Sequence, residues 1–475
     1  MKTTSHYRHT KIIFTIGPAT IEEDVLEALI RRGVDVCRFN MAHATHEWVE
    51  GAIKTIRKVC AKTERQVALL MDVKGPEIRT GFLEEPIALK KHDKLELWMR
   101  TSFEKRDGVH QVDVNYRGLA GDVHVGDVIL VDSGLLRLEI LETHEDHVVT
   151  KVLTPGLLGA RRHINLPGVN VKLPSLTEKD LGDVRFGVKM GIDIFALSFA
   201  RTADAVSELK NELRNLESGA QVMAKLEDQT ALRNLQEIVE EADSIMIARG
   251  DLGIEIPFEE LPLVQHQVAE ECLTQGTPFV VATHLLESMI EAPMPTRAEV
   301  SDVANAVRQQ ADCIMLSGET TTGAYPVEAV DVMNRVIDAT EVLAPAKFNH
   351  RVTLRLPKSK LIRSAAVLAG EFEDCAILLF TRSSYTAQIT AALRPAGIPI
   401  YAFTDRPQTF RRMLMLWGIE PFFISFQEDP EETICDAFEY LKRRGWCATG
   451  NKLAVVTTMT EKTRNIDVLQ LREVE

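Results

Sequence analysis

From Lys11 onward the chain alternates short apolar runs with amphipathic stretches. The runs read "KIIFTIG", "VCRFN", "VALLMD", "IDIFALSF", "QVMAKLED", "SIMIARGD", "PFVVATH" and "CIMLSGE". Segments between them, such as "IEEDVLEALIRRG" and "LQEIVEEA", carry apolar residues at helical spacing. Eight strand and helix units predict a TIM (β/α)8 barrel, built from residues 1–73 and 175–341. The interruption, 74–174, has another texture: "VHVGDVILVDSGLLRLEIL" alternates apolar and polar positions between Gly-Asp turns. It predicts a β domain inserted after the third barrel strand, over the barrel mouth, where it would act as a lid. Beyond "LAPAKFNHRVTLRLPKS" the runs "CAILLFT", "IPIYAFT", "PFFISF" and "KLAVVTT" predict a smaller α/β domain over 345–475. No low-complexity tract and no repeat beyond the βα alternation is read from the chain.

Composition narrows the function. A chain of 475 residues accommodates two to four domains. A formal net charge of -14 disfavours a nucleic-acid or membrane-surface partner, leaving room only for a local basic pocket for a small phosphate. Seven cysteines without close paired spacing suit reduced thiols. No secretory core and no uncharged span of membrane length is present, so the reading is a soluble, cytoplasmic protein.

In a barrel the carboxyl ends of the strands face the active site. Here they hold Arg38 and Asn40, Asp72, Ser198, Lys225 and Glu227, Arg249 and Asp251, Thr283 and His284, and Ser317 and Glu319. The run "IMIARGDLGIEI" has three readings: a buried strand ending in a solvated glycine turn, an adhesion tripeptide, or a strand that delivers Asp251 into a site. Lys225 and Glu227 are two apart, so both point to one side of their strand, toward the lumen or the helix layer. Either they form a plain ion pair, or Glu227 and Asp251 hold a divalent cation, with magnesium the fitting choice. No zinc-type His-Cys cluster, Gly-x-Ser-x-Gly elbow or Walker loop occurs, so any phosphate must be bound by barrel-loop cations and helix N-termini.

The strings "TKIIFTIGPAT", "CRFNMAHA", "MDVKGPEIRTG", "INLPGVNVKLPSLTEKD", "MIARGDLGIEIP", "ATHLLESMIEAPMPTRAEVSDVANAV" and "DCIMLSGETTTGAYPVEAV" closely resemble the pyruvate kinase family, in order and through nearly the whole chain. The resemblance implies phosphoryl transfer from phosphoenolpyruvate to ADP, giving pyruvate and ATP, the last step of glycolysis. It implies Mg2+ or Mn2+ on Glu227 and Asp251. Lys225 and Arg38 would serve the phosphoryl group, and Arg249, Gly250, Asp251 and Thr283 would bind substrate. Thr283, Ser317 and Glu319 would form the proton relay. On the nucleotide side the matching positions are Pro18, Arg38, Asn40, His43, Trp48, Arg79 and Arg162, the last replacing a lysine. Bland readings accompany several of these: Thr296 and Glu299 form a capping box whatever the function, His43 is a satisfied loop histidine, and Trp48 is core.

The family's potassium site maps to Asn40, Asp72 and the Val73 carbonyl, but Ala42 and Val73 replace a serine and a threonine. Glu77 remains where potassium-independent relatives commonly carry lysine; the two indicators conflict, and together they imply a K+ site that is weakened but still present. In the C-terminal domain "LLFTRSSYTAQI" resembles the family's sugar-phosphate effector loop, implicating Thr381, Ser383, Ser384 and Thr386 in allostery; an ordinary helix cap is the alternative. The later loop "TTMTEKTRNID" lacks the glycines of fructose-bisphosphate-responsive members. The family is usually tetrameric, implying a homotetramer. A barrel lyase or mutase acting on the same enolate, and a metabolite-sensing paralogue, are the competing functions.

Overall fold

The computed structural model describes residues 7–103, 106, 108–343, 345–461 and 464–475. Eight parallel strands close a barrel: β1 (Lys11–Thr15), β2 (Val36–Asn40), β3 (Ala68–Asp72), β4 (Ile194–Leu197), β5 (Gln221–Leu226), β6 (Ser244–Ala248), β7 (Phe279–Ala282) and β8 (Cys313–Leu316). Each pairs with its sequence neighbours, and β8 returns to β1 through Lys11↔Cys313. All eight apolar runs therefore become barrel strands. They are buried on both faces, which is why they read as near-continuous apolar runs.

Period-two alternation sorts each strand into two cores. Residues in one phase, among them Phe14, Phe39, Met71 and Phe195, meet the surrounding helices in the larger cluster. The other phase fills the lumen with Ile13, Val36, Leu70, Ala196, Met223, Met246, Val280 and Met315. Leu414 and Met415 of the C-terminal domain join this lumen cluster, and Cys313 Sγ donates to the Met415 carbonyl at 3.2 Å. Thus the third domain plugs the barrel floor.

A repeat that the sequence reading missed braces that floor. An aspartate immediately precedes each even strand: Asp35, Asp193, Asp243 and Asp312. Each carboxylate accepts the N–H of a residue at the foot of the preceding odd strand: Ile12 at 2.8 Å, Leu69 at 2.9 Å, Val222 at 2.8 Å and Phe279 at 3.0 Å. Two of them also receive arginines from the C-terminal domain, Arg411 on Asp193 and Arg394 on Asp312, both at 2.6 Å. Arg8 performs the same service for Asp35.

Between β3 and β4 runs the inserted β domain. Its seven-stranded sheet places strand Ile78–Arg79 beside His163–Asn165, so entry and exit of the insert are antiparallel neighbours. In the C-terminal domain a five-stranded sheet is parallel except for its last strand. Where the sequence suggested a loop at "TTMTEKTRNID", strands Lys452–Glu461 and Arg464–Glu473 pair instead as a long hairpin; Lys462 and Thr463 lie outside the described residues. The β-branched Val455, Val456, Thr457, Thr458 and Val468 favour that extended pairing over a coil. No helix among the described residues is long and apolar enough to cross a membrane.

Candidate active site

The lumen phase does not stop where the apolar side chains end. The next inward position is Thr15 on β1, Arg38 on β2, Asp72 on β3, Ser198 after β4 and Lys225 on β5. These side chains form a polar layer above the apolar plug. Arg38 donates to Asp72 Oδ2 through Nε at 2.9 Å and Nη2 at 2.6 Å, and to Thr15 Oγ1 at 3.0 Å. Lys225 Nζ lies 2.8 Å from Glu227 Oε1, 3.1 Å from Asp72 Oδ1 and 2.8 Å from Ser198 Oγ. The face shared by Lys225 and Glu227 is thus the lumen, not the helix layer.

Burial alone would neutralise such groups. For Asp72 the burial penalty is outweighed by Lys225 and Arg38, so its carboxyl stays below the usual range. Burial likewise opposes the charge on Lys225, but Asp72 and Glu227 hold its ammonium protonated well above the ordinary lysine range. Glu227 differs. Burial pushes its carboxyl up to about 7 against the pull of Lys225, and the Asp251 charge raises it further. Its other oxygen accepts the Phe199 N–H at 2.6 Å. Asp251 itself makes no hydrogen bond or ion pair among the described residues. Asp251 thus lies close enough to Glu227 for its charge to strengthen that carboxyl's hold on a proton. The described residues hold no cluster of three or more His, Cys, Asp or Glu suited to a metal.

"ARGDLGIE" forms neither an adhesion loop nor a glycine turn; β6 passes directly into a short helix, Arg249–Glu255. Here the expectation for Arg249 is corrected. It lies out of phase with Met246 and Ala248, so its side chain leaves the lumen and is buried outside it. Its guanidinium pairs with Asp302 at 2.7 Å and donates to the carbonyls of Thr283 at 2.6 Å and His284 at 3.1 Å. Thr283 (φ 65°) and His284 (φ 53°) are left-handed, a costly conformation for a β-branched residue. Arg249 therefore clamps a strained turn rather than a ligand. That turn places Thr283 Oγ1 to accept the Gly250 N–H at 2.8 Å. Glu319 accepts the N–H groups of Ser317 at 2.7 Å and Leu286 at 3.1 Å, while Ser317 Oγ is buried without a partner.

Of the residues expected on the nucleotide side, Arg38 belongs to the polar layer and the others lie outside it. Pro18 and His43 are exposed, Asn40 Oδ1 accepts the Ala42 N–H at 3.1 Å, and Trp48 is half-buried against the outer core. Arg79 bonds Glu77 at 2.7 Å, Arg162 bonds Asp132 at 3.2 Å, and the two arginines flank the seam where the lid leaves and re-enters the barrel. In the C-terminal domain Thr381, Ser383 and Thr386 line a pocket of about 560 Å³ with Lys358 and Arg406. Ser384 does not line it. Its left-handed backbone (φ 63°) turns the hydroxyl back onto the Ser383 carbonyl at 2.5 Å. The Thr296 and Glu299 capping box forms as its sequence suggests.

A buried lysine held between carboxylates at the mouth of a lidded barrel defines an enzyme suited to anionic substrates in which negative charge develops. The model for "Pyruvate kinase, barrel domain" matches residues 7–330, and that for "Pyruvate kinase, alpha/beta domain" matches residues 359–471. A pyruvate kinase from Dictyostelium discoideum is 35% identical, covering 99% of this chain and 96% of that one. One from Geobacillus stearothermophilus is 40% identical over 95% of this chain and 77% of its own length. A crystal structure of a pyruvate kinase from Cryptosporidium parvum superposes with a TM-score of 0.92 at 33% identity, covering 98% and 96% of the two chains. The chain belongs to the pyruvate kinase family and is a phosphotransferase.

One further carboxyl sits where lid and barrel meet. Glu255 accepts from Asn165 Nδ2 at 3.0 Å, and burial pushes its carboxyl up to about 7 although Asn165 opposes the shift. Because the folded state binds this proton more tightly than the unfolded chain, its contribution is fully present below the unfolded value and is lost as pH rises through about 7. Glu255→Gln keeps the acceptor without the charge. Urea unfolding at pH 8 should show the variant more stable than the wild type by about 1 to 3 kcal/mol, and the gain should vanish near pH 4. A pH-independent difference would contradict the assignment.

Proposed function

We propose that this chain transfers the phosphoryl group of phosphoenolpyruvate to ADP, with Lys225 as the charge-stabilising group. The observation that carries the reading is the Lys225 ammonium, buried, protonated and fixed at the top of the lumen. Phosphoryl transfer through a loose transition state depends on positioned cations, and Lys225 and Arg38 supply two at the barrel mouth. Glu227 and Asp251 fit a magnesium or manganese ion, since their mutual repulsion is what a divalent cation relieves. Bound there, it would supply Lewis-acid polarisation of substrate oxygens. Thr283 contributes a hydroxyl beside the Gly250 N–H, and Ser317 a buried hydroxyl free to pass a proton. Arg79 and Arg162 at the lid seam suit nucleotide phosphates. Lys225→Met should lower kcat about a hundredfold or more while phosphoenolpyruvate still binds, as measured by coupled pyruvate formation and ligand titration. A loss of only a few-fold would refute the role of Lys225.

We read the potassium site as weakened but present. Each donor left to it already has a protein partner: Asn40 Oδ1 accepts from Ala42, the Val73 carbonyl accepts from Ser198 at 2.7 Å, and Asp72 holds Arg38 and Lys225. Glu77 is paired with Lys74 and Arg79, so no lysine takes the ion's place. Initial rates at constant ionic strength, balanced with a bulky organic cation, should rise with potassium. Half-saturation should come at lower concentration in Ala42→Ser/Val73→Thr. Full activity in the bulky cation alone would show that the ion is dispensable.

The C-terminal pocket, with hydroxyls at the start of helix Tyr385–Ala392 and the three cations Lys358, Arg382 and Arg406 on its wall, suits a sugar phosphate effector. Ser383→Asp should abolish activation by such an effector through charge repulsion and leave saturated activity near the wild type. Unchanged activation would place the effector elsewhere.

A further inference from the structure

Ser198 was noted in the sequence only as one of several strand-end residues, yet the structure puts it at the centre of the polar layer. It is 3% exposed and continues the inward phase of Ile194 and Ala196. Its hydroxyl accepts from Lys225 Nζ at 2.8 Å and donates its single proton toward the Val73 carbonyl at 2.7 Å, with Asp72 Oδ1 farther away at 3.3 Å. A protonated lysine has three N–H bonds. Here they meet three acceptors carried by three adjacent parts of the barrel: Asp72 on β3, Ser198 after β4 and Glu227 after β5. Two acceptors leave an ammonium free to swing about the line that joins them; a third fixes it.

The turn that carries Ser198 is itself constrained. Phe199 is left-handed (φ 53°), which aims its N–H at Glu227 Oε2, so consecutive residues hold both Lys225 and its partner carboxylate. On the other side Gly75, at the root of the lid, packs so closely that a Cβ there would lie 2.8 Å from Ser198 Cβ. The hydroxyl therefore joins the barrel's lysine to the Val73 carbonyl, two residues before that glycine.

We infer that Ser198 is a positioning residue: its hydroxyl sets the direction of the Lys225 ammonium by supplying the only neutral acceptor among the lysine's three, and ties it to the strand that leads into the lid. This rests on the phosphoryl-transfer reading above. In Ser198→Ala the ammonium settles between Asp72 and Glu227, whose charges draw it away from the substrate. The backbone and both carboxylates stay in place, so ground-state binding is spared.

The test is steady-state kinetics of the full-length enzyme with phosphoenolpyruvate and ADP. In Ser198→Ala, kcat should fall about tenfold while KM for phosphoenolpyruvate stays within about threefold, since loss of one hydrogen bond to a charged group acts on the transition state. Ser198→Thr, which retains the hydroxyl, should recover most of the loss. A second measurement separates positioning from plain structure: in a Lys225→Met background, assayed at high enzyme concentration, adding Ser198→Ala should change kcat by less than about twofold. An equal fold loss with and without Lys225 would overturn the inference, as would a Ser198→Ala kcat within about twofold of the wild type. Should Ser198→Ala not fold, the near-isosteric Ser198→Cys carries the same comparison, with the same outcomes deciding. A wild-type enzyme that forms no pyruvate would instead refute the underlying reading.

Discussion

Everything at the barrel mouth depends on keeping one ammonium charged where water is scarce. A lysine buried in an apolar lumen would shed its proton. Lys225 retains it because Asp72 and Glu227 stand on either side, and Arg38 offsets the second charge of the pair. The layer sets two cations against two anions, with Lys225 and Asp72 held ionised while burial strengthens the hold of Glu227 on a proton. Such a network is stable only when its members are satisfied together. Thr15, Ser198 and the Phe199 N–H complete that satisfaction.

The barrel is fastened at its opposite end by a different device. Aspartates at the feet of the even strands take backbone protons from their neighbours and, at Asp193 and Asp312, arginines from the C-terminal domain. Those two strands, β4 and β8, are the ones whose upper ends lead to Ser198 and to Ser317 and Glu319. Arg394 follows the helix that begins at the C-terminal pocket, and Arg411 lies on the helix after Arg406, which lines the same pocket. The C-terminal pocket and the polar layer are thus joined by strands, not by loops.

How much of this could be read beforehand varies with how local the cause is. Lys225 and Glu227 share a strand, and their common face follows from the pleat. Arg249 was legible by the same rule, since it lies one step out of phase with Ala248, but the charge of Arg-Gly-Asp drew it into the site. The left-handed turn at Thr283 and His284 was not legible, because that backbone is uncommon outside glycine and is strongly disfavoured for the β-branched Thr283. Ser384 looked like a pocket hydroxyl from its neighbours in sequence, and only its backbone angle turned it inward.

By itself the sequence determined the eight-stranded barrel, the inserted β domain, the C-terminal α/β domain and the strand ends that carry the chemistry. These follow from periodicity, turn residues and the sign of side chains at fixed spacing, all properties of chain neighbours. Tertiary structure alone decided which strand-end groups meet. Asp72 lies 126 residues before Ser198, across the lid, and Ser198 lies 27 before Lys225, yet closure of the barrel makes β3, β4 and β5 adjacent and brings the three within hydrogen-bonding distance. The same closure exposed a floor that only another domain fills, because the lumen's apolar side chains end there and Leu414 and Met415 cover them. Contact across such distances is set by the burial of many side chains at once, which no local pattern records.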